Sequence, residues 1–79
     1  MGQSEEYIKK SEEIRTKYKD VIDALARKYD KDVGVGYDML LAIGRAILHD
    51  EEPLYSQEEV ELDTGELFDD YCELIKYFN

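Results

Sequence analysis

Apolar residues in the first third of the chain follow the periodicity of a helix. Between Ser4 and about Tyr29 they recur at intervals of three and four residues, which predicts one long amphipathic helix with Ser4 as its N-cap. Tyr7, Tyr18 and Tyr29 are spaced eleven residues apart, close to three turns, so they are expected to project from nearly the same side. We expect these tyrosines at the margin of a core; a surface on which a ligand stacks is the alternative.

The helical pattern stops in the segment Asp30–Gly36. Two glycines close together favour a turn here, which would make the segment the hinge of a helical hairpin. Its aspartates invite comparison with a calcium-binding loop. Counting from Asp30, however, Val35 stands where the loop requires glycine and Leu41 where it requires glutamate. We therefore expect no metal site in this segment.

A second helix is predicted from Tyr37 to about Leu48, where the residues are apolar nearly all the way round. Such a helix must be covered on several sides, so it is expected to be the central element of a small bundle. Gly44 would let another helix approach closely. His49 is expected to close the carboxyl end, where its positive form suits the helix dipole.

Two capping patterns follow Pro53. Ser56 and Glu59 have the spacing of a capping box, which predicts a short helical turn; an edge strand is the alternative. Asp63 and Glu66 repeat the spacing and predict the start of a final helix. The apolar face of that helix comprises Leu67, Phe68, Tyr71, Leu74, Ile75 and Phe78.

Together these elements predict an all-α fold, a small three-to-four-helix bundle made of a helical hairpin, a short helix and a C-terminal helix, in a single domain over residues 1–79. The single cysteine, Cys72, is expected at the rim of the core and can form no internal disulfide. The longest apolar run, Met39–Ile43, is far too short to span a membrane, and the amino terminus lacks the apolar core of a signal peptide. We therefore expect a soluble, cytoplasmic protein that does not bind membranes.

Acidic residues are concentrated in the last part of the chain. Residues 49–79 contain eleven acidic residues and one lysine, so their formal charge of −10 equals that of the whole chain, whereas residues 1–48 contain nine of each sign. Asp69, Asp70 and Glu73 are expected to lie away from the apolar face and to point into water or towards a partner. The candidate partner-binding residues are Asp50, Glu51, Glu52, Tyr55, Glu58, Glu59, Glu61, Asp63, Glu66, Asp69, Asp70 and Glu73.

Catalytic chemistry is not indicated by the sequence. His49 is the only histidine. A metal site or a general base would need it beside Asp50, Glu51 or Glu52 in space, and a nucleophile would need it beside Cys72 or Ser56. The chain has no zinc-type cysteine or histidine spacing and no glycine-rich phosphate loop. We expect a protein that is not an enzyme and that uses no cofactor or metal.

Direct binding to nucleic acid is also disfavoured, because the basic residues are interleaved with acidic ones and residues 49–79 would repel phosphate. The leading hypothesis is a stoichiometric inhibitor that docks on a basic surface of a nuclease, a toxin or another nucleic-acid-binding protein. The alternative is a helical adaptor or regulatory protein that acts through helix pairing, with the acidic face serving solubility only. Either would be a monomer or a weak homodimer.

A resemblance supports the inhibitor hypothesis. The order of an apolar helix, the acidic segment HDEEPLYS and then EEVELDTGELFDDYCELI leading into a closing helix resembles small acidic immunity proteins of the colicin D type, over roughly residues 40–78. Residues 1–36 do not follow the pattern. The resemblance implies an antitoxin that occupies the basic active-site cleft of a transfer-RNA-cleaving toxin. Phage proteins that inactivate host defence nucleases, including anti-CRISPR and anti-restriction proteins, are also small and acidic, and composition does not separate the two classes.

Overall fold

The structure, a computed structural model, describes residues 5–52 and 62–77. Within these residues the chain forms four α-helices, and no β-strand occurs among them. Their bounds are α1 Glu5–Lys17, α2 Lys19–Lys28, α3 Val33–Leu48 and α4 Thr64–Ile75. The predicted all-α fold is confirmed. The predicted cap at Ser4 and the predicted short helix near Ser56 lie outside the described residues.

The prediction of one long first helix is wrong, because the chain bends at Tyr18. This residue has φ −106° and ψ 23°, which separates α1 from α2. The backbone ladder nevertheless continues across the bend, since the Tyr18 N–H donates to the Ile14 carbonyl and the Ile22 N–H donates to the Tyr18 carbonyl, each at 2.9 Å. The result is a kinked rod whose first part packs on α4 and whose second part packs on α3.

The connection between α2 and α3 is shorter than predicted, because α3 already begins at Val33. Asp32 caps the helix, and its carboxylate accepts the Val35 N–H at 2.9 Å. At the other end of the connection, Asp30 adopts a left-handed φ of 54° and the Lys31 N–H donates to the Ala26 carbonyl, which satisfies the carboxyl end of α2. The predicted turn is thus confined to four residues, and both glycines of the segment belong to α3.

Gly36 lies at a close approach of α2 and α3. A Cβ atom at this position would lie 2.6 Å from the backbone oxygen of Ile22 and 3.3 Å from the Cβ of Ala26. The glycine that was expected in a turn therefore serves helix packing instead.

Gly44 has the same role on another side of α3, as predicted. A Cβ atom there would lie 2.9 Å from the Tyr71 ring of α4. With α2 against one side and α4 against another, α3 is the central element that the sequence predicts. The side chains at the centre of the core are Ile14, Ile22, Leu25, Leu40, Ile43, Leu67 and Leu74.

Other local predictions are confirmed. Tyr18 is buried while Tyr7 and Tyr29 pack half-buried against the core, which places all three at its margin or inside it. His49 is the C-cap of α3, and Cys72 is half-buried. In the part of the chain that the structure describes, none of the helices combines the length and hydropathy needed to cross a lipid bilayer.

We predict that Gly36→Ala lowers the free energy of unfolding by about 1–3 kcal/mol, because the added methyl group forces the backbones of α2 and α3 apart. Gly65→Ala is the matched control. A Cβ atom at Gly65 meets its nearest neighbour, Asp63, at an ordinary 3.5 Å. The control should be neutral or up to about 1 kcal/mol stabilising through helix propensity. Urea denaturation of both variants measures the difference, and equal stabilities would contradict the proposed close contact.

Candidate functional site

Three carboxylates of α4 face α1 rather than solvent alone. Glu66, Asp70 and Glu73, called here the carboxylate row, are spaced by four and three residues and so share one side of the helix. Opposite them stand Lys10 and Lys17 of α1, two turns apart. Lys17 pairs with Glu66 and Lys10 with Glu73, which shows that α1 and α4 run antiparallel.

Asp70 is at the centre of the row and is buried, with 8% of its surface exposed. One carboxylate oxygen lies 3.1 Å from Lys10 Nζ. The other lies 2.9 Å from Lys17 Nζ and accepts the hydroxyl of Tyr18 at 2.7 Å. The prediction that Asp70 points into water or towards a partner is therefore wrong. Its carboxylate is an internal anchor that joins α4 to α1 at the bend.

The burial of Asp70 lowers its acidity less than its partners raise it. Desolvation alone would raise the pKa of the carboxyl group. The hydrogen bonds from Lys17, Tyr18 and Lys10 outweigh desolvation and hold the pKa of Asp70 below its ordinary value. For Tyr18, burial together with the hydrogen bond to Asp70 raises the pKa of the phenol, so the hydroxyl remains a donor.

The two ends of the row are half-exposed, with Glu66 at 48% and Glu73 at 52% of side-chain surface. Glu66 lies 2.6 Å from Lys17 Nζ, and Glu73 lies 3.2 Å from Lys10 Nζ. Glu73 is exposed as predicted, and Glu66 is exposed as well, yet each already has a cationic partner within the chain. Exposed pairs of this kind contribute little to stability, so the buried Asp70 dominates the row.

A second group of candidate residues follows the end of α3. Asp50, Glu51 and Glu52, called here the acidic trio, are all exposed. Asp50 has a left-handed φ of 53°, and the Glu51 N–H donates to the Ala46 carbonyl at 2.8 Å. This hydrogen bond closes the carboxyl end of α3 and fixes the backbone of the trio against the helix.

The trio is placed where the helix dipole disfavours it. The carboxyl end of a helix carries partial negative charge, so an anion there costs about 0.3–1 kcal/mol when it is exposed. Leu48, the last residue of α3, is also exposed beside the trio. The end of α3 thus combines an apolar side chain with carboxylates in an arrangement that opposes folding stability.

The remaining candidates divide into described and undescribed residues. Asp63 caps α4, and its carboxylate accepts the Glu66 N–H at 3.0 Å, as predicted. Asp69 is exposed, three residues after Glu66 and four before Glu73. The other candidates, Tyr55, Glu58, Glu59 and Glu61, lie outside the described residues.

The partners of the buried carboxylate, Lys10, Lys17 and Tyr18, were not predicted from the sequence. A signal for Asp70 was present, because it follows Leu67 by three residues and precedes Leu74 by four, and both leucines are fully buried. This spacing puts Asp70 on the apolar stripe itself. The two lysines lack such a signal, since their spacing fits a solvated face equally well.

Metal ligands do not cluster in the described part of the chain: residues 5–52 and 62–77 contain no group of three or more histidine, cysteine or acidic side chains able to hold an ion. Comparisons of the sequence with family models and curated proteins, and of the fold with solved structures, find no match. Function must therefore be inferred from the geometry of the chain itself.

We predict that Asp70→Asn lowers the free energy of unfolding by about 2–3 kcal/mol, because it removes charge-assisted hydrogen bonds and leaves Lys10 with a weaker partner at a largely buried position. Asp69→Asn makes the same chemical change on the exposed side of α4 and should stay within about 0.5 kcal/mol of the parent. Thermal and urea unfolding of the two variants provide the measurement. If both variants lost the same unfolding free energy, the buried hydrogen bonds of Asp70 would contribute no more to stability than the exposed carboxylate of Asp69.

We further predict that the contribution of Asp70 disappears in acid. Its folded-state pKa is below the unfolded value of about 3.9, so the stabilisation is fully present above that value and is lost as pH falls through the folded-state pKa. The difference in unfolding free energy between the parent and Asp70→Asn should be constant from about pH 5 to pH 7 and should narrow at lower pH. A difference that does not change with pH would contradict this assignment.

Proposed function

We propose that the protein is a stoichiometric inhibitor without catalytic activity, which docks on a basic surface of a nuclease, a toxin or another nucleic-acid-binding protein. Docking uses the acidic trio, Asp69 and the exposed side chain of Leu48. By sequence, Glu58, Glu59 and Glu61 add to the same acidic field. The observation on which the proposal depends is the exposed acidic trio at the carboxyl end of α3.

The acidic charge outside the carboxylate row has little compensation from residues 49–79. Glu66, Asp70 and Glu73 account for three of the eleven acidic residues of that segment, and Lys10 and Lys17 neutralise most of their charge. The other eight acidic residues together with Lys76 have a formal charge of −7. Concentrated negative charge accelerates encounter with a basic partner and sets the orientation of docking.

The position of the trio supports a role in binding rather than in folding. Carboxylates that serve solubility are equally effective at sites where they do not oppose a helix dipole. Departures from locally optimal sequence are expected at functional sites, where stability is exchanged for activity. Leu48 adds an apolar contact of the type that supplies affinity once charges have set the orientation.

The sequence resemblance to immunity proteins of the colicin D type is compatible with this proposal and would make the partner a transfer-RNA-cleaving toxin. A phage protein that blocks a host defence nuclease would use the same chemistry. A cytoplasmic location follows for either class, because such nucleases act on intracellular nucleic acid.

We predict that Glu51→Lys/Glu52→Lys abolishes partner binding and slightly stabilises the fold. Reversal of the charges removes attraction to a basic surface, and cations suit the carboxyl end of α3, giving about 0.3–1 kcal/mol for each site. The immobilised parent protein is used to capture partners from host lysate at about 0.05 M salt, followed by elution with a gradient to about 0.5 M. A nuclease that elutes with salt, and that is inactive when bound at equimolar ratio, is the expected result.

Glu12→Lys/Asp20→Lys is the control, because it makes the same change of net charge at exposed sites of α1 and α2. It should capture the same partner as the parent. If both variants lost partner binding equally, the effect would be explained by net charge alone. If the Glu51→Lys/Glu52→Lys variant still bound the partner, the acidic trio would not belong to the interface. The Glu51→Lys/Glu52→Lys variant is expected to be more stable than the parent but unable to bind. Its loss of binding could therefore not be attributed to unfolding.

A further inference from the structure

A second surface, formed by α1, α3 and α4, differs in charge from the rest of the protein. Two adjoining hollows of about 500 Å³ and about 350 Å³ lie along it. They share Tyr7, Asp38 and Leu41, so together they form one groove. Ile8 lies at the border of this groove and is exposed, with 46% of its surface accessible.

Charges around the groove cancel. Its lining contains two acidic residues, Glu12 and Asp38, and two basic residues, Arg15 and Arg45, for a net charge of zero. The whole chain has a net charge of −10. Two copies of the protein repel each other most when their acidic faces meet, and the repulsion is weaker where two neutral grooves meet.

The charges on α3 are also arranged for pairing with themselves. Asp38 and Arg45 are exposed and seven residues apart, which places them two turns and about 10.5 Å apart on one side of the helix. The midpoint between them falls between Leu41 and Ala42, which are half-buried and line the groove. A two-fold axis through that midpoint sets Asp38 of each copy opposite Arg45 of the other, with an apolar centre.

The same spacing is found within α2, where it lacks that centre. Asp20 and Arg27 are exposed and seven residues apart. The residues at their midpoint are Asp23 and Ala24, and Asp23 is already paired with Lys19 at 3.0 Å. Charge spacing alone therefore does not distinguish α3; the combination with an apolar groove does.

We propose that two copies of this chain associate through the groove, in an antiparallel contact of α3 with α3 that pairs Asp38 with Arg45 twice. The two charge pairs use none of the residues of the acidic trio, which follows the end of α3. Self-association is thus independent of the proposed inhibitor function, and the two use different variants in their tests.

Sedimentation equilibrium of the purified full chain, from about 10 µM to about 1 mM, tests the proposal, because mass action favours a dimer at high concentration. The parent should show a monomer–dimer equilibrium. Asp38→Arg and Arg45→Asp each place like charges opposite one another, so each should weaken dimerisation at least about tenfold. Asp20→Arg and Arg27→Asp, the matched controls on α2, should leave the equilibrium unchanged.

Mixing provides the sharper result. An equimolar mixture of Asp38→Arg and Arg45→Asp should form a heterodimer, because every opposing pair then has opposite charges, although each variant alone stays monomeric. Both sites are exposed, so the variants are expected to fold, and circular dichroism checks this. A parent that is monomeric at every concentration, or a mixture that fails to associate, would overturn the proposal.

Discussion

One buried carboxylate determines how the first helix sits on the rest of the molecule. Asp70 receives two lysine ammonium groups and a tyrosine hydroxyl, all supplied by α1 and by the bend that follows it. The apolar contacts of α1 are comparatively few, since Ile14 is its one fully buried apolar side chain. Removing one member of this group would leave a charge without its partner in a place from which water is largely excluded, which costs free energy. The contact therefore favours this one arrangement of α1 on α4 over others.

This contact also changes the meaning of the charge distribution. In the sequence, a neutral first part precedes a strongly acidic last part, and no pattern indicates which residues of the two parts interact. In the fold, Lys10 and Lys17 from the first part pair with the carboxylate row of α4, while the acidic trio and Asp69, among the described residues, are exposed. Folding thus divides one acidic segment into a structural group and an exposed group, and only the exposed group is suited to electrostatic docking.

Sequence patterns predicted those features that depend on neighbours along the chain. The cap at Asp63, the closure of α3 at His49 and the central position of α3 follow from residues within a few positions of one another. The close approach at Gly44 also follows, because a small residue in an apolar helix leaves room for a neighbour. The burial of Asp70 was readable from its place between Leu67 and Leu74, but its partner Tyr18 lies 52 positions away, and helical periodicity reveals neither that contact nor the bend at Tyr18. Gly36 illustrates the same limit: two glycines close together suggested a turn, whereas the environment of Gly36 is a contact between two helices.

The connection between α2 and α3 has a consequence for how the chain tolerates change. Each of its four residues has a distinct backbone role, since Tyr29 ends one helix, Asp30 takes the left-handed conformation, Lys31 donates to the preceding turn and Asp32 starts the next helix. An inserted residue would separate the end of one helix from the start of the other and would rotate α3 relative to α2, moving Gly36 away from Ile22. Surface connections usually tolerate changes in length. In this hairpin an insertion or deletion is expected to disturb the packing of α2 on α3, because the four residues from Tyr29 to Asp32 set the relative position of the two helices.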